Sequence, residues 1–174
     1  MKKILIIGIC GAGKTTLAIQ LAEKLNIPII HLDRHYWKSG WVESSKEEWR
    51  KKVEELCKQD SWIMDGNFGG SFDIRFPNAD AIILLDYSRS LAIFRTIKRI
   101  IKYWGKVRPD LAEGCPERFD WSFLKFVWNF HKNHRDIIEM SLEKYAVGKN
   151  VYRFKNPTQL KKFIYQLENN GRTL

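Results

Sequence analysis

What most limits the folds open to this chain is its first fifteen residues. Lys3-Ile4-Leu5-Ile6-Ile7 is a short apolar run rich in β-branched residues and reads as a buried strand. It leads directly into Gly8-Ile9-Cys10-Gly11-Ala12-Gly13-Lys14-Thr15, which meets G-x-x-x-x-G-K-[ST] at every fixed position. Leu17, Leu21, Ala22 and Leu25 then recur at helical spacing. A glycine-rich loop between a strand and a helix is the setting a phosphate-binding loop requires, so a nucleoside triphosphate is expected here.

Each residue type has a reason to be there. The glycines let the backbone curl until its N–H groups point inward at phosphate oxygens, and the helix that follows adds the positive end of its dipole. Lys14 can reach the β- and γ-phosphates, and the Thr15 hydroxyl can ligate Mg²⁺. The expected nucleotide-binding set is Gly8, Gly11, Ala12, Gly13, Lys14, Thr15 and Thr16, with ATP and Mg²⁺ as cofactors.

The chain has 174 residues, enough for one domain with a sizeable core, and 44% of them are hydrophobic. Its three cysteines, Cys10, Cys57 and Cys115, show no C-x-x-C spacing, which argues for a reducing compartment and against zinc. No apolar run approaches the length of a membrane span, and the N-terminal one is too short for a signal peptide. A cytoplasmic protein with no membrane contact is expected. The net charge of +10 favours phosphate-rich partners, nucleic acid, an anionic membrane surface and small phosphorylated substrates alike.

Further strands are expected at 27–32, 62–64, 81–85 and 150–154. Helices are expected from Ser44 or Ser45 to about Lys58, over 89–106, from Asp120 to about Tyr145, and from Pro157 to about Asn169. Residues 34–41 read as an aromatic and basic connection, and 68–78 as a glycine-rich loop. Alternating strands and helices predict an α/β fold: a five-stranded, mostly parallel sheet with helices on both faces, in one domain over 1–174. A short basic lid segment at about 104–118 is inserted between two long helices. Ligands gather at the carboxyl ends of such strands, and four of those ends carry Gly8, Asp33, Asp65 and Asp86.

Asp65 follows three apolar strand residues, the pattern of an acid that holds Mg²⁺ through water, with Thr15 as the other metal ligand. Asp33 is the candidate base toward an acceptor hydroxyl. Phosphoryl transfer builds negative charge on the equatorial oxygens, so arginines are needed too. Arg95 and Arg99, four apart on one helix face, and Arg108 in the loop beyond are the candidates, alongside Lys14 and Asp33. Lys98, Lys102 and Lys106 read as a solvated face opposite an Ile/Phe stripe. Acceptor contacts are expected from Asp33, Trp37, Asp65, Asn67 and Arg75. Trp121, Trp128 and Phe130 read as core, and His131 and His134 as surface residues.

Two resemblances rest on these residues. Asp65-Gly66-Asn67-Phe68 and Arg95-x-x-x-Arg99 resemble the acceptor-side segment and the arginine pair preceding the lid in adenylate-kinase-like phosphotransferases. Asn67-Phe68 departs from that group's Phe-Pro-Arg, so its acceptor-contacting arginine is missing there and Arg75 is the candidate substitute. His31-Leu32-Asp33, Asp65-Gly66-Asn67 and the run from Arg108 to Arg118 are similar to the bacterial DNA topology modulation proteins, an adenylate-kinase-related family. The resemblance implies a kinase transferring the γ-phosphoryl group of Mg-ATP to a small, nucleotide-like acceptor. A nucleic-acid-binding P-loop NTPase affecting DNA topology is the alternative, less favoured because the basic helix also carries the arginine pair; a nucleotide-binding regulator without turnover ranks lower.

Overall fold

The structure is a computed structural model and describes residues 1–169. Its central feature is a five-stranded sheet built from β1 (Lys3–Gly8), β2 (Ile29–His31), β5 (Trp62–Asp65), β6 (Ala81–Leu85) and β7 (Asn150–Phe154), in the order β2-β5-β1-β6-β7. Every neighbouring pair in it is parallel. The three inner strands are buried along nearly their whole length, from Ile4 to Ile7, Trp62 to Asp65 and Ala81 to Leu85. That is why they read as continuous apolar runs: a parallel sheet is covered on both faces.

The helices are α1 (Lys14–Leu25), α2 (Leu32–Tyr36), α3 (Lys46–Cys57), α4 (Phe72–Asn78), α5 (Arg89–Tyr103), α6 (Trp121–Tyr145) and α7 (Pro157–Asn169). Helix α1 packs on β1, β2 and β5, whereas α4 packs on β1 and against α3 and α6. Ser45 starts α3 with a capping box: its hydroxyl accepts from Glu48 N and the Glu48 carboxylate accepts from Ser45 N. Trp49, Val53, Leu56 and Cys57 then fall on one buried stripe.

Three sequence expectations are corrected. The stretch 34–41 is not an open connection but α2 followed by a hairpin of β3 (Trp37–Lys38) and β4 (Val42–Glu43). The expected loop 68–78 holds a 3-10 turn (Gly69–Ser71) and α4, despite Pro77 in the last turn. Burial wins there: Phe72 and Phe76 are 2% and 0% exposed and their rings lie 4.6 Å apart, so packing outweighs the single hydrogen bond that proline forfeits. On α5 only part of the apolar stripe is core. Ala92, Thr96 and Ile100 are buried, whereas Phe94, Ile97, Ile101 and Trp104 are 65%, 40%, 72% and 62% exposed.

Segment 104–118 folds back on itself, with Gly105 N donating to Glu117 O and Glu117 N to Lys106 O, both at 2.9 Å. It rests on the β3–β4 hairpin. Gly40 N donates to Gly114 O at 2.9 Å, Trp41 Nε1 to Pro116 O at 3.1 Å, and the buried Cys115 thiol to Lys38 O at 3.3 Å. No described helix is long and apolar enough to cross a membrane.

Candidate active site

The carboxyl ends of β1, β2 and β5 open into a cleft of about 840 Å³. Its floor is the loop from Cys10 to Thr16; Asp65 lines it from the end of β5, Asp33 from the first turn of α2, Arg95 and Arg99 from α5, and Arg108 from segment 104–118.

The loop is held by close backbone approach. Gly8, at φ +136°, lies so near β6 that a Cβ there would sit 2.3 Å from Leu85 O. Gly11, at φ +82°, would put one 2.5 Å from Ala92 O and 2.7 Å from Thr96 Oγ1 on α5. Both positions therefore need glycine for conformation and for space. Lys14 Nζ donates to Gly8 O at 2.9 Å and Ile9 O at 3.2 Å, bending its ammonium back over the loop. Arg95 donates to Ala12 O at 3.2 Å, which ties α5 to the loop.

Asp65 sits between two side chains. Thr15 Oγ1 donates to its Oδ2 at 2.7 Å, and His31 Nδ1 lies 2.7 Å from its Oδ1. His31 is brought there by register, since it pairs with Asp65 across β2 and β5. Burial by itself would lower the His31 pKa, but the hydrogen bond and charge of Asp65, with Asp110 beyond, more than offset that and raise it. Asp33 stands in the first turn of α2 rather than at a strand end. Burial raises its pKa, the Lys14 ammonium opposes the shift, and the Asp65 charge adds to it.

The arginines form a network. Arg99 pairs with Glu117 at 3.2 Å, and Arg108 pairs with Glu117 at 2.8 Å and with Asp110 at 2.9 Å. Glu117 is only 4% exposed, so its charge is sustained by two guanidiniums. His31, Tyr87, Asp110 and Glu117 were not singled out as site residues from sequence. The available signal was His31 two residues before Asp33, and Asp110 and Glu117 within the run that resembles the topology modulation proteins.

Several expected site residues lie elsewhere. Arg75 is fully buried and does not reach the cleft. Its Nε donates to Ser71 Oγ at 3.1 Å, its Nη1 to Gly66 O at 3.0 Å, and its Nη2 to Phe68 O at 2.8 Å and to Asn67 O. Burial without a carboxylate partner lowers its pKa to about 9, which leaves it charged at neutral pH. Asn67 also serves the scaffold, its Oδ1 accepting from Gly8 N at 2.9 Å. Trp37 packs against Tyr36 and Trp41 outside the cleft lining. Asp86 lies 3.0 Å from His131 Nε2 on another face, so His131 is paired rather than a free surface residue. Trp121 and Trp128, expected in the core, are 73% and 46% exposed, and Phe130 is buried as expected. Among the described residues there is no cluster of three or more His, Cys, Asp or Glu side chains suited to a metal.

Residues 4–86 match the model of the AAA family, ATPases associated with various cellular activities. No curated protein sequence matches the chain. Among solved structures, a shikimate kinase from Acinetobacter baumannii in complex with shikimate is similar at TM-score 0.61 and 15% identity, covering 100% of this chain and 96% of that one. A deoxyadenosine kinase from M. mycoides with bound dATP is similar at TM-score 0.54 and 15% identity, covering 96% of this chain and all of that one. The same kinase with dCMP and dCDP bound is similar at TM-score 0.52 and 14% identity, with 98% and 100% covered. The phosphate loop, the strand order and these likenesses agree on the architecture: the chain has the α/β fold of P-loop kinases.

Proposed function

We propose that this protein is a phosphotransferase that moves the γ-phosphoryl group of ATP to a small acceptor held between the Asp33 turn and the end of β5. One observation carries the reading. A single cleft joins the phosphate loop, the cationic side chains Lys14, Arg95, Arg99 and Arg108, and a carboxylate, Asp33, placed to accept a hydroxyl proton and with a pKa that burial raises. The fold shared with shikimate and deoxyadenosine kinases supports it.

In this scheme the triphosphate lies on the N–H groups of residues 11–16, and Lys14 leaves the Gly8 and Ile9 carbonyls for the β- and γ-oxygens. Arg95, Arg99 and Arg108 neutralise the charge that develops on the transferred group. Asp33 accepts the acceptor's hydroxyl proton. The base is assigned to the α7 side, whose Pro157, Leu160 and Ile164 line the same cleft, as does Tyr103. The Thr15 hydroxyl and the Asp65 carboxylate, 2.7 Å apart, are hard oxygen donors of the kind Mg²⁺ takes, Asp65 through water. When held there by Thr15 and Asp65, the ion would supply positive charge against the phosphates. Segment 104–118 is proposed as the lid of a single domain over 1–174, excluding water from the transfer. Cytoplasmic location is part of the same reading.

The test is ADP release from Mg-ATP across a panel of nucleosides, nucleotides and small alcohols, with Lys14→Ala as control. Lys14 bonds only loop carbonyls, so this variant should keep the fold and lose about 100-fold or more in kcat. Undiminished transfer by it would sink the proposal.

One observation favours a second reading. Helix α5 and its C-cap expose Phe94, Ile97, Ile101 and Trp104, with Lys98 and Lys102 exposed among them, a mixture suited to stacking and phosphate contacts on single-stranded nucleic acid. No binding of single-stranded or duplex DNA at about 50 mM salt would remove it.

A further inference from the structure

The phosphotransferase reading leaves the acceptor open, and the charges at the acceptor end of the cleft narrow it. Lys14 and Arg95 stand at the phosphate loop, and Lys102 and Lys161 line the end toward α7. On the β2–β5 side, away from β7, the lining is His31, Asp33, Asp65, Pro109, Asp110 and Arg108, with the charges of Asp110 and Arg108 felt at Asp33. Three of those six are carboxylates. The one guanidinium among them, Arg108, is held by Asp110 and Glu117 and is already assigned to the transferred phosphoryl group.

The basic residues that flank this end are paired elsewhere or stay outside the cleft lining. Arg75 is buried against the Gly66, Asn67 and Phe68 carbonyls. Arg50 pairs with Asp73 at 2.7 Å and Lys38 with Glu48 at 3.0 Å. Arg34 and His35 on α2 are exposed and do not line the cleft. With Lys14 given to the triphosphate, a phosphate or carboxylate on the acceptor would find no uncommitted cation lining this end and would face Asp33 and Asp110. Hydroxyl groups would find acceptors in both.

We infer that the acceptor is a small alcohol carrying no anion of its own, of nucleoside or sugar type, and that a nucleoside monophosphate is excluded by like charge. This rests on the phosphotransferase reading and replaces the nucleotide-like acceptor that the sequence suggests. The transfer balances simply: the acceptor oxygen bonds to the γ-phosphorus, the bond to the β–γ bridging oxygen breaks, ADP leaves, and Asp33 takes the hydroxyl proton. Asp110 acts as a discriminating group, setting specificity through its charge and its hold on Arg108.

The experiment uses matched pairs, each nucleoside or sugar against its monophosphate, measured as Lys14-dependent ADP release from Mg-ATP. Like charge in a desolvated site predicts kcat/KM at least about 100-fold higher for the uncharged member. Asp110→Asn, which leaves Arg108 a single carboxylate, should cut that ratio about tenfold. A second measurement needs no knowledge of the acceptor: inorganic phosphate titrated into protein saturated with Mg²⁺ and a non-hydrolysable ATP analogue. No saturable binding in the millimolar range is expected. Monophosphate turnover equal to that of its parent alcohol, or phosphate binding that Arg108→Ala abolishes, would overturn the inference while leaving the kinase reading intact. ADP release that no compound stimulates and that equals the Lys14→Ala background would overturn both.

Discussion

Arg75→Met replaces a fully buried guanidinium with an apolar side chain of similar length, and the structure indicates what should follow. Arg75 donates four hydrogen bonds, to Ser71 Oγ and to the carbonyls of Gly66, Asn67 and Phe68. Those carbonyls belong to the turn after β5, whose Asn67 side chain holds Gly8 N of the phosphate loop. The Ser71 Oγ and Gly66 O partnerships are themselves buried and lose their donor outright, at about 1–3 kcal/mol each. The Asn67 and Phe68 carbonyls are only partly buried and can recover water. Removing an unpaired buried charge returns part of this, because the guanidinium's desolvation no longer has to be met. A net destabilisation of about 3 kcal/mol is expected, lowering Tm by about 6–12 °C in a chain this size. Urea unfolding followed by tryptophan fluorescence and circular dichroism gives the free energy, and ATP titration reports on the loop. Affinity for ATP should fall together with stability, because Gly8 N is held by the turn that Arg75 supports. A variant as stable as the wild type, with only a raised acceptor KM, would refute this reasoning and return Arg75 to the acceptor site.

Two further outcomes follow from the site. The His31 pKa is raised above its usual 6.5, so its pairing with Asp65 adds stability that is complete below 6.5 and lost as pH rises through the folded value. In chelated buffer the stability difference between wild type and His31→Gln should therefore shrink with rising pH from about 6.5 upward; a difference that is flat or grows would contradict the pair. Gly11→Ala places a methyl 2.5 Å from Ala92 O at φ +82°, adding about 1–2 kcal/mol of left-handed strain to a clash with backbone that cannot swing aside. ATP affinity should drop tenfold or more by calorimetry, while Gly40→Ala, whose methyl meets no atom within 4 Å, should bind ATP normally; equal behaviour of the two would show that contact with α5 is unimportant.

Local chemistry determined much of this protein. The phosphate loop was legible because its glycines, lysine and threonine act through backbone conformation and reach within a few residues. The inner strands and the capped α3 were legible because apolar period and capping are short-range signals. Helix α4 was hidden by Gly69, Gly70 and Pro77, and only the burial of Phe72 and Phe76 reveals why it forms. The stripe on α5 has a helical period, yet periodicity does not say which stripe a neighbour covers, and packing chose Ala92, Thr96 and Ile100.

Partnerships across long separations were decided by the tertiary structure alone. His31 meets Asp65 because β2 and β5 are adjacent in a parallel register, and no spacing along the chain encodes that. Arg75 and Asn67 carry residue types suited to an acceptor site, but folding turns both toward the backbone. Glu117 meets Arg99 and Arg108 only once segment 104–118 has folded back. A sequence states which charges a chain carries; which of them remain available to a ligand depends on how the chain first pairs them with itself.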